Sequence, residues 1–469
     1  MSFVTRRKSI DGLADHAPHH RLKPTLSWPH LTALGVGAII GTGIYTLTGV
    51  GAGLAGPAVI LSFAIAGAVC ACAALAYAEM ATLMPVAGSA YTYSYAALGE
   101  LVAWIVGWSL ILEYTVVCSV VSVGWAAYAV GVLEQAGVHL PAALAAGPHA
   151  GGIVNLPAVL VALAVTGLLL AGTRESATVN FVLVIVKIAA LAAFVVLTLP
   201  AFEAGNFQPF APFGFAGHED ADGVKRGVMA AAALIFFAFY GFDAISTAAE
   251  EARNPARDLT IGIIGSMVVC TTIYMVVAAA ALGASPFQVF SQSAEPLAFI
   301  LRDLNHPLAA ALVAGAAIVA LPTVIMVFMF GQSRIFFAMA RDGVLPAGLA
   351  KVGARGVPVP VTLLTGAIAA VIAGLLPLKE IAELANAGTL LAFVATAVCM
   401  MVLRRTDPDR PRAFRCPQPW IVGPLAVAGC IYLFVSLPQA TMVRFFIWNL
   451  IGVAVYMAYG RRTSRLARA

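Results

Sequence analysis

Twelve long apolar runs make up most of this chain, and they constrain its fold more than any other feature. They lie near 30–54, 58–83, 96–132, 153–171, 177–199, 227–250, 259–283, 307–340, 360–376, 381–403, 420–437 and 444–460. About 20 apolar residues in helical form cross a bilayer. Lipid offers backbone groups no partner, so each run is predicted to be a helix that satisfies its own N–H and C=O groups. A transmembrane barrel would need apolar–polar alternation, which the runs lack. Of the 469 residues, 61% are apolar and 10% are charged, against about 25% charged in soluble chains. The predicted fold class is an all-α integral membrane protein with 12 transmembrane helices.

The first run begins only near Leu31, behind a tail that carries Arg6, Arg7, Lys8, Arg21 and Lys23. Residues 1–29 therefore read as a retained cytosolic tail, not a cleaved signal peptide. If both ends face the cytosol, that side collects about twenty of the 27 Lys and Arg, which is the bias that orients membrane proteins. Lys225, Arg226, Arg302, Lys379 and Arg444 fall on the opposite side, and Lys187 and Arg334 lie inside runs. The net charge of +5 is then a topology signal beside anionic headgroups, and no nucleic-acid partner is called for. A basic, proline-rich stretch at 404–419 reads as a cytosolic linker between a ten-helix core at 30–403 and two accessory helices at 420–460, with a short tail at 461–469. The seven cysteines fall mainly inside apolar runs and form no C-x-x-C pair, so they read as core residues. Neither metal nor cofactor is expected.

Glycine in mid-helix costs about 1 kcal/mol relative to alanine, so the cluster Gly35, Gly37, Gly41, Gly43 in the first run needs a reason. Close helix packing is one. The other is an unwound segment that bares backbone groups. The sixth run carries its own irregular stretch, Phe236-Phe237-Ala238-Phe239-Tyr240-Gly241-Phe242-Asp243. Runs one and six head two consecutive sets of five, 30–200 and 226–403. Interrupted helices at matching places in two halves point to inverted repeats with a site at mid-membrane. A helix that restarts after Gly41-Thr42-Gly43 offers unpaired amides suited to a carboxylate, and a helix that stops offers carbonyls suited to an ammonium group. A ligand with both charges at one carbon is an α-amino acid.

Ionisable residues inside a membrane are functional candidates by default. Lys187 sits near the middle of its run, too deep for easy snorkelling, and is the candidate for proton coupling or for a fixed cation. Glu113 is open to a cross-helix hydrogen bond or a ligand contact. Asp243 can cap the restarted helix, contact ligand, or both. Glu79, Glu250 and Glu251 read as interfacial partners for arginines, and Pro322 as a proline that frees a carbonyl inside the eighth run. No H-E-x-x-H, G-x-S-x-G or P-loop pattern occurs, so an enzyme or an ATP-driven pump lacks its parts. A channel is the remaining different class.

GVGAIIGTGIYTLTG at 35–49, AGPAVILSF at 55–63, YAEMATLMPVAGSAYTYSY at 77–95, GWSLILEY at 107–114, FFAFYGFDAISTAAEEARNPARDL at 236–259 and GQSRIFFAMARDGVLP at 331–346 resemble the amino acid–polyamine–organocation (APC) superfamily, and within it the cationic amino acid transporter family. The resemblance covers about 25–460 and implies a LeuT/APC-type fold: two inverted five-helix repeats plus two further helices. It implies that Thr42 and Gly43, next to Gly41 in the same substrate-binding break, meet a substrate carboxylate and that carbonyls of Ile40, Phe237, Ala238 and Tyr240 receive its amine. Lys187 matches the lysine that replaces sodium in proton-coupled members, and Glu113 and Asp243 match acidic positions that would help a cationic side chain. Thr260 and Ser333 stand where the family often has proline; both are expected at helix ends, with little effect. The expected activity is proton-coupled symport of cationic or broad-range L-amino acids across the cell membrane by alternating access. An exchanger or a neutral amino acid permease is the alternative.

Overall fold

The computed structural model describes residues 6–10, 26–86, 88–171, 177–220, 223–351 and 358–468. Arg21 and Lys23 of the expected tail lie outside the described residues. The first apolar run is not one helix. α1 (Trp28–Ile39) stops at Ile40, α2 (Thr42–Tyr45) starts behind Gly41, and α3 (Leu47–Ala55) follows a step at Thr46. After a single 3-10 turn comes α4 (Val59–Leu83). The third run, expected from residue 96, is divided: α5 (Ser89–Ala97) is a separate short helix, and α6 (Glu100–Gln135) begins only after the chain turns at Leu98 and Gly99. Apolar character alone could not locate that turn, because Ala96 and Ala97 belong to α5.

The remaining helices are α7 (Ala142–Ala145), α8 (Leu156–Leu170), α9 (Ala177–Thr198), α10 (Val228–Ile235), α11 (Phe242–Thr247), α12 (Pro255–Ala284), α13 (Phe287–Phe290), α14 (Pro296–Asp303), α15 (Pro307–Arg341), α16 (Val359–Leu375), α17 (Leu378–Thr406), α18 (Pro419–Ser436) and α19 (Gln439–Val455), which runs through a π turn (Tyr456–Gly460) into the short α20 (Arg461–Thr463) and α21 (Arg465–Arg468). One small antiparallel ribbon, β1 (His218–Glu219) with β2 (Lys225–Arg226), precedes α10. Proline stands in the first turn of α1, α12, α15 and α18, where its missing N–H has no helical acceptor to lose. The Asn155 side chain caps α8 by accepting the Ala158 N–H at 3.2 Å.

Among the described residues, nine helical stretches are long and apolar enough to cross a membrane, with α8 and α16 apolar but shorter. The nine count α3 together with α4, which leaves α1 as a 12-residue helix by itself. Thr260 and Ser333 are not at helix ends: both lie inside helices, α12 and α15.

The bundle is organised on α6, which packs against α15, α17, α8, α16 and α5. α1 lies on α12, α9 and α15, while α10 lies on α4, α3 and α17. The two interrupted helices are thereby enclosed. At the face where Lys8 and Arg465 both meet Asp342, charges tie elements together. Glu79 accepts Arg404 through both oxygens at 2.8 and 2.7 Å and the Cys416 N–H at 2.8 Å, with Arg412 at 3.1 Å. Glu251 pairs with Arg334, and Lys8 with Asp342 at 2.7 Å. Ahead of α1, Leu26 donates to the Glu251 carbonyl at 2.9 Å and accepts from Arg253 at 2.8 Å. The expectation for Glu79 and Glu251 as arginine partners is met; the Glu250 side chain lies outside the described residues.

Candidate substrate site

Both interruptions are real breaks, and they face each other. Ile40 takes φ −72°, ψ 92°, and Gly41 takes φ −144°, ψ −149°, so the α1 hydrogen-bond ladder ends there. On the other strand of the crossing, α10 gives way to a 3-10 turn at Phe236–Ala238, and α11 starts behind Gly241 at φ +121°. That conformation belongs to glycine. A side chain at Gly241 would also sit 3.0 Å from the Ala38 carbonyl carbon, and one at Gly43 would run into the Ala238 backbone. The two breaks thus touch reciprocally, each glycine against the other helix.

A broken helix leaves its last carbonyls and first amides without partners, and in a membrane each must be met. At the end of α1 the structure meets them with side chains. Lys187 Nζ donates to the Gly37 carbonyl at 2.7 Å, and the Tyr274 hydroxyl donates to that of Ile39 at 2.6 Å. Further on, the Tyr128 hydroxyl donates to Tyr45 O at 2.6 Å. At the end of α10, Asn386 Nδ2 donates to Ala233 O at 2.7 Å and to Leu234 O at 3.0 Å. Among the described residues, no such capping bond reaches the carbonyls of Ile40, Phe237, Ala238 or Tyr240. Thr42 and Gly43 occupy the first two helical positions of α2, where amides have no intrahelical acceptor.

The three buried ionisable residues do different things. Lys187 on α9 is fully buried and lies behind the α1 break, bridging Gly37 to Thr323 Oγ1 of α15 at 3.4 Å. Asp243 accepts the Gly241 N–H at 2.9 Å and the Tyr114 hydroxyl at 2.9 Å, so it caps the restart of α11. Glu113 is fully buried near Asp243 and Thr389, and neither carboxyl oxygen has a hydrogen-bond partner among the described residues.

Between the breaks lies a small cavity, about 220 Å³ when all the empty space out to its mouth is counted. Gly41, Thr42 and Gly43 line it, with Ala38 and Ile39. Phe237 and Tyr240 line it from the second break, Val117 and Val121 from α6, and Val324 and Phe328 from α15. Of the sequence-predicted residues, Ile40, Ala238, Glu113, Asp243 and Lys187 are not in the lining. Rings enclose one end: Phe328 meets Tyr114 at 5.2 Å and Tyr240 at 6.2 Å, edge to face. The hydroxyls of Thr42 and Tyr240 are buried without a partner among the described residues. Sequence reasoning did not find Val117, Val121, Val324 or Phe328, since a valine facing a cavity looks like any valine in an apolar run. Pro322, two residues before Val324, was the only signal near them.

Two interrupted helices crossing at a small cavity, inside a bundle of apolar helices, are the mark of a multi-pass membrane permease. A family model described as amino acid permease matches residues 26–459, and the chain belongs to that family. The chain is similar to the branched-chain amino acid permease BcaP of Bacillus subtilis (strain 168), 45% identical over 99% of both chains. It is also similar to the methylthioribose transporter of the same organism, 39% identical over 99% of this chain and 100% of that one. The vacuolar cationic amino acid transporter 4 of Arabidopsis thaliana is 36% identical over 87% of this chain and 68% of that one. These relatives are transporters and permeases, not enzymes, and they bear out the APC resemblance of the sequence motifs.

Proposed function

We propose that the protein is a secondary active transporter of neutral, branched-chain L-amino acids, working by proton symport and alternating access. The observation that supports the substrate class is the lining: Val117, Val121, Val324, Phe237 and Phe328 are apolar, and among the described residues no charged side chain lines the cavity. A buried ammonium or guanidinium side chain would need a carboxylate partner, and Asp243 is already committed to Gly241 and Tyr114. The amides of Thr42 and Gly43 receive the substrate carboxylate. Of the uncapped carbonyls, those of Phe237 and Tyr240, which line the cavity across from Gly41, receive its ammonium group.

Lys187 carries the proton coupling in this reading. Charged, it ties α1 to α15 through Gly37 and Thr323; once its proton leaves, that tie weakens and the α1 segment is free to move. The two five-helix sets, 30–200 and 226–403, form inverted repeats with 420–460 as accessory helices, and the basic face carrying both termini lies in the cytosol at the cell membrane. The reciprocal placement of the two breaks and the charge bias support this arrangement.

Cationic substrates are the second reading, favoured by the unpartnered Glu113 carboxyl and by the plant relatives named above. Purified protein in proteoliposomes decides between them. Labelled leucine uptake should rise with an inward proton gradient and be competed by valine and isoleucine. Competition by arginine or lysine alone would install the cationic reading. Competition by methylthioribose alone would remove amino acids, and equal uptake without any gradient would remove symport.

A further inference from the structure

We propose that Trp125 is a positioning residue: its indole N–H replaces the hydrogen bond that Pro322 removes from α15 and thereby fixes the width of the cavity. Pro322 is interior to α15. A proline has no N–H to give to the carbonyl four residues earlier, which here is that of Ile318. Trp125 Nε1, reaching across from α6, donates to that carbonyl at 2.8 Å. The donor is placed one helical turn after Val121, and the acceptor helix carries Val324 and Phe328 just past the proline. One side chain therefore joins the two cavity walls contributed by α6 and α15.

Other bonds along the same interface do not replace it. Cys118 Sγ donates to Ile325 O at 3.7 Å, and Gln332 Nε2 donates to Ile111 O at 3.1 Å and to Thr115 Oγ1 at 2.8 Å. These lie on the Phe328 side of the proline, whereas Trp125 alone among the three donors serves the turn before it. Pro424 in α18 gives the contrast. The carbonyl it leaves unpaired is that of Trp420, in the first turn of its helix at an exposed residue, where no buried donor is required. Of these two helix-interior prolines, among the described residues Pro322 is the one whose freed carbonyl meets a side-chain donor from the opposite wall.

This inference rests on the cavity being the substrate site. Its test compares Trp125→Phe in two backgrounds, the natural chain and Pro322→Ala, in which the alanine N–H restores the helical bond to Ile318. In the natural background, Trp125→Phe should raise KM for the best branched-chain substrate about tenfold, relax the preference between valine and phenylalanine, and lower the thermal unfolding midpoint. In the Pro322→Ala background the same change should leave all three within about twofold or within error. Trp125→His, which keeps an N–H donor, should restore part of the natural selectivity. Equal effects of Trp125→Phe in both backgrounds would overturn the proposal, as would an unchanged valine-to-phenylalanine preference. If Trp125→Phe folds only with Pro322→Ala, that rescue supports the bond; failure to fold in both backgrounds would assign Trp125 to packing and end it. A natural chain that takes up no amino acid sinks the substrate reading by itself, while the comparison of unfolding midpoints between backgrounds still decides whether the bond exists.

Discussion

The segment that holds α10 and α11 and the pair α18 and α19 are both apolar enough to cross a bilayer, yet they end in opposite surroundings. The membrane-spanning window within Val228–Thr247 is buried throughout, whereas only 22% of the corresponding windows in Pro419–Ser436 and Gln439–Thr463 is buried. Enclosure is what permits the first to be broken. A break exposes backbone groups that only neighbouring side chains can meet inside a membrane, and Asn386, Tyr114 and Asp243 stand around α10 and α11 to meet them. α18 and α19 are uncovered by protein on most sides and, apart from the Trp420 carbonyl that Pro424 leaves free in the first turn of α18, run as continuous helices. Irregularity goes where protein surrounds it, and there a ligand can take over the groups left uncapped.

Substitutions at the crossing should have the largest effect. Gly43→Val and Gly241→Ala are expected to abolish uptake and reduce folded yield, since each forces the two breaks apart and the second also imposes about 1–3 kcal/mol of backbone strain. Wild-type leucine uptake by either variant would refute the close crossing as a requirement. Lys187→Ala comes next. It leaves the Gly37 carbonyl without its donor and should flatten the dependence of uptake on the proton gradient while amino acid binding changes by less than about tenfold. A retained gradient dependence would remove Lys187 from coupling.

Asp243→Asn should be milder, because the amide oxygen can still accept the Gly241 N–H. A loss of about 1–3 kcal/mol in stability is expected, with neutral and cationic ligands weakened alike. A selective loss of cationic ligands would mean that Asp243 contacts substrate as well as capping α11. The smallest effect belongs to α19: Leu450→Ala, 68% exposed, should change stability by no more than about 0.5 kcal/mol and leave uptake unchanged. A large effect there would show that α19 is covered by protein, and the contrast between the two regions would shrink.

Glycine spacing around Gly41 and Gly43, and Gly241 next to Asp243, made both breaks legible in the sequence, because glycine in mid-span is costly without a purpose. The capping of those breaks was not legible. Tyr274 and Asn386 look like ordinary members of apolar runs until the fold brings them to Ile39, Ala233 and Leu234. Asp243 was open between capping and ligand contact, and geometry gives it the cap. Glu113, open between a cross-helix hydrogen bond and a ligand contact, is buried but lies outside the cavity lining. The cationic expectation leaned on those carboxylates, and their placement is what turns the proposal toward neutral substrates.

The sequence by itself determined that the chain crosses a membrane as helices and that two of those helices are interrupted, since apolar length, charge bias and glycine cost are local properties readable residue by residue. It also marked Lys187 as a cation deep within an apolar run. Which carbonyls stay uncapped, which valines face the cavity, and that Trp125 answers Pro322 were decided only by tertiary structure. Those depend on which side chain stands across a gap between helices far apart in sequence, and hydrogen bonds over a few ångströms have no one-dimensional signature.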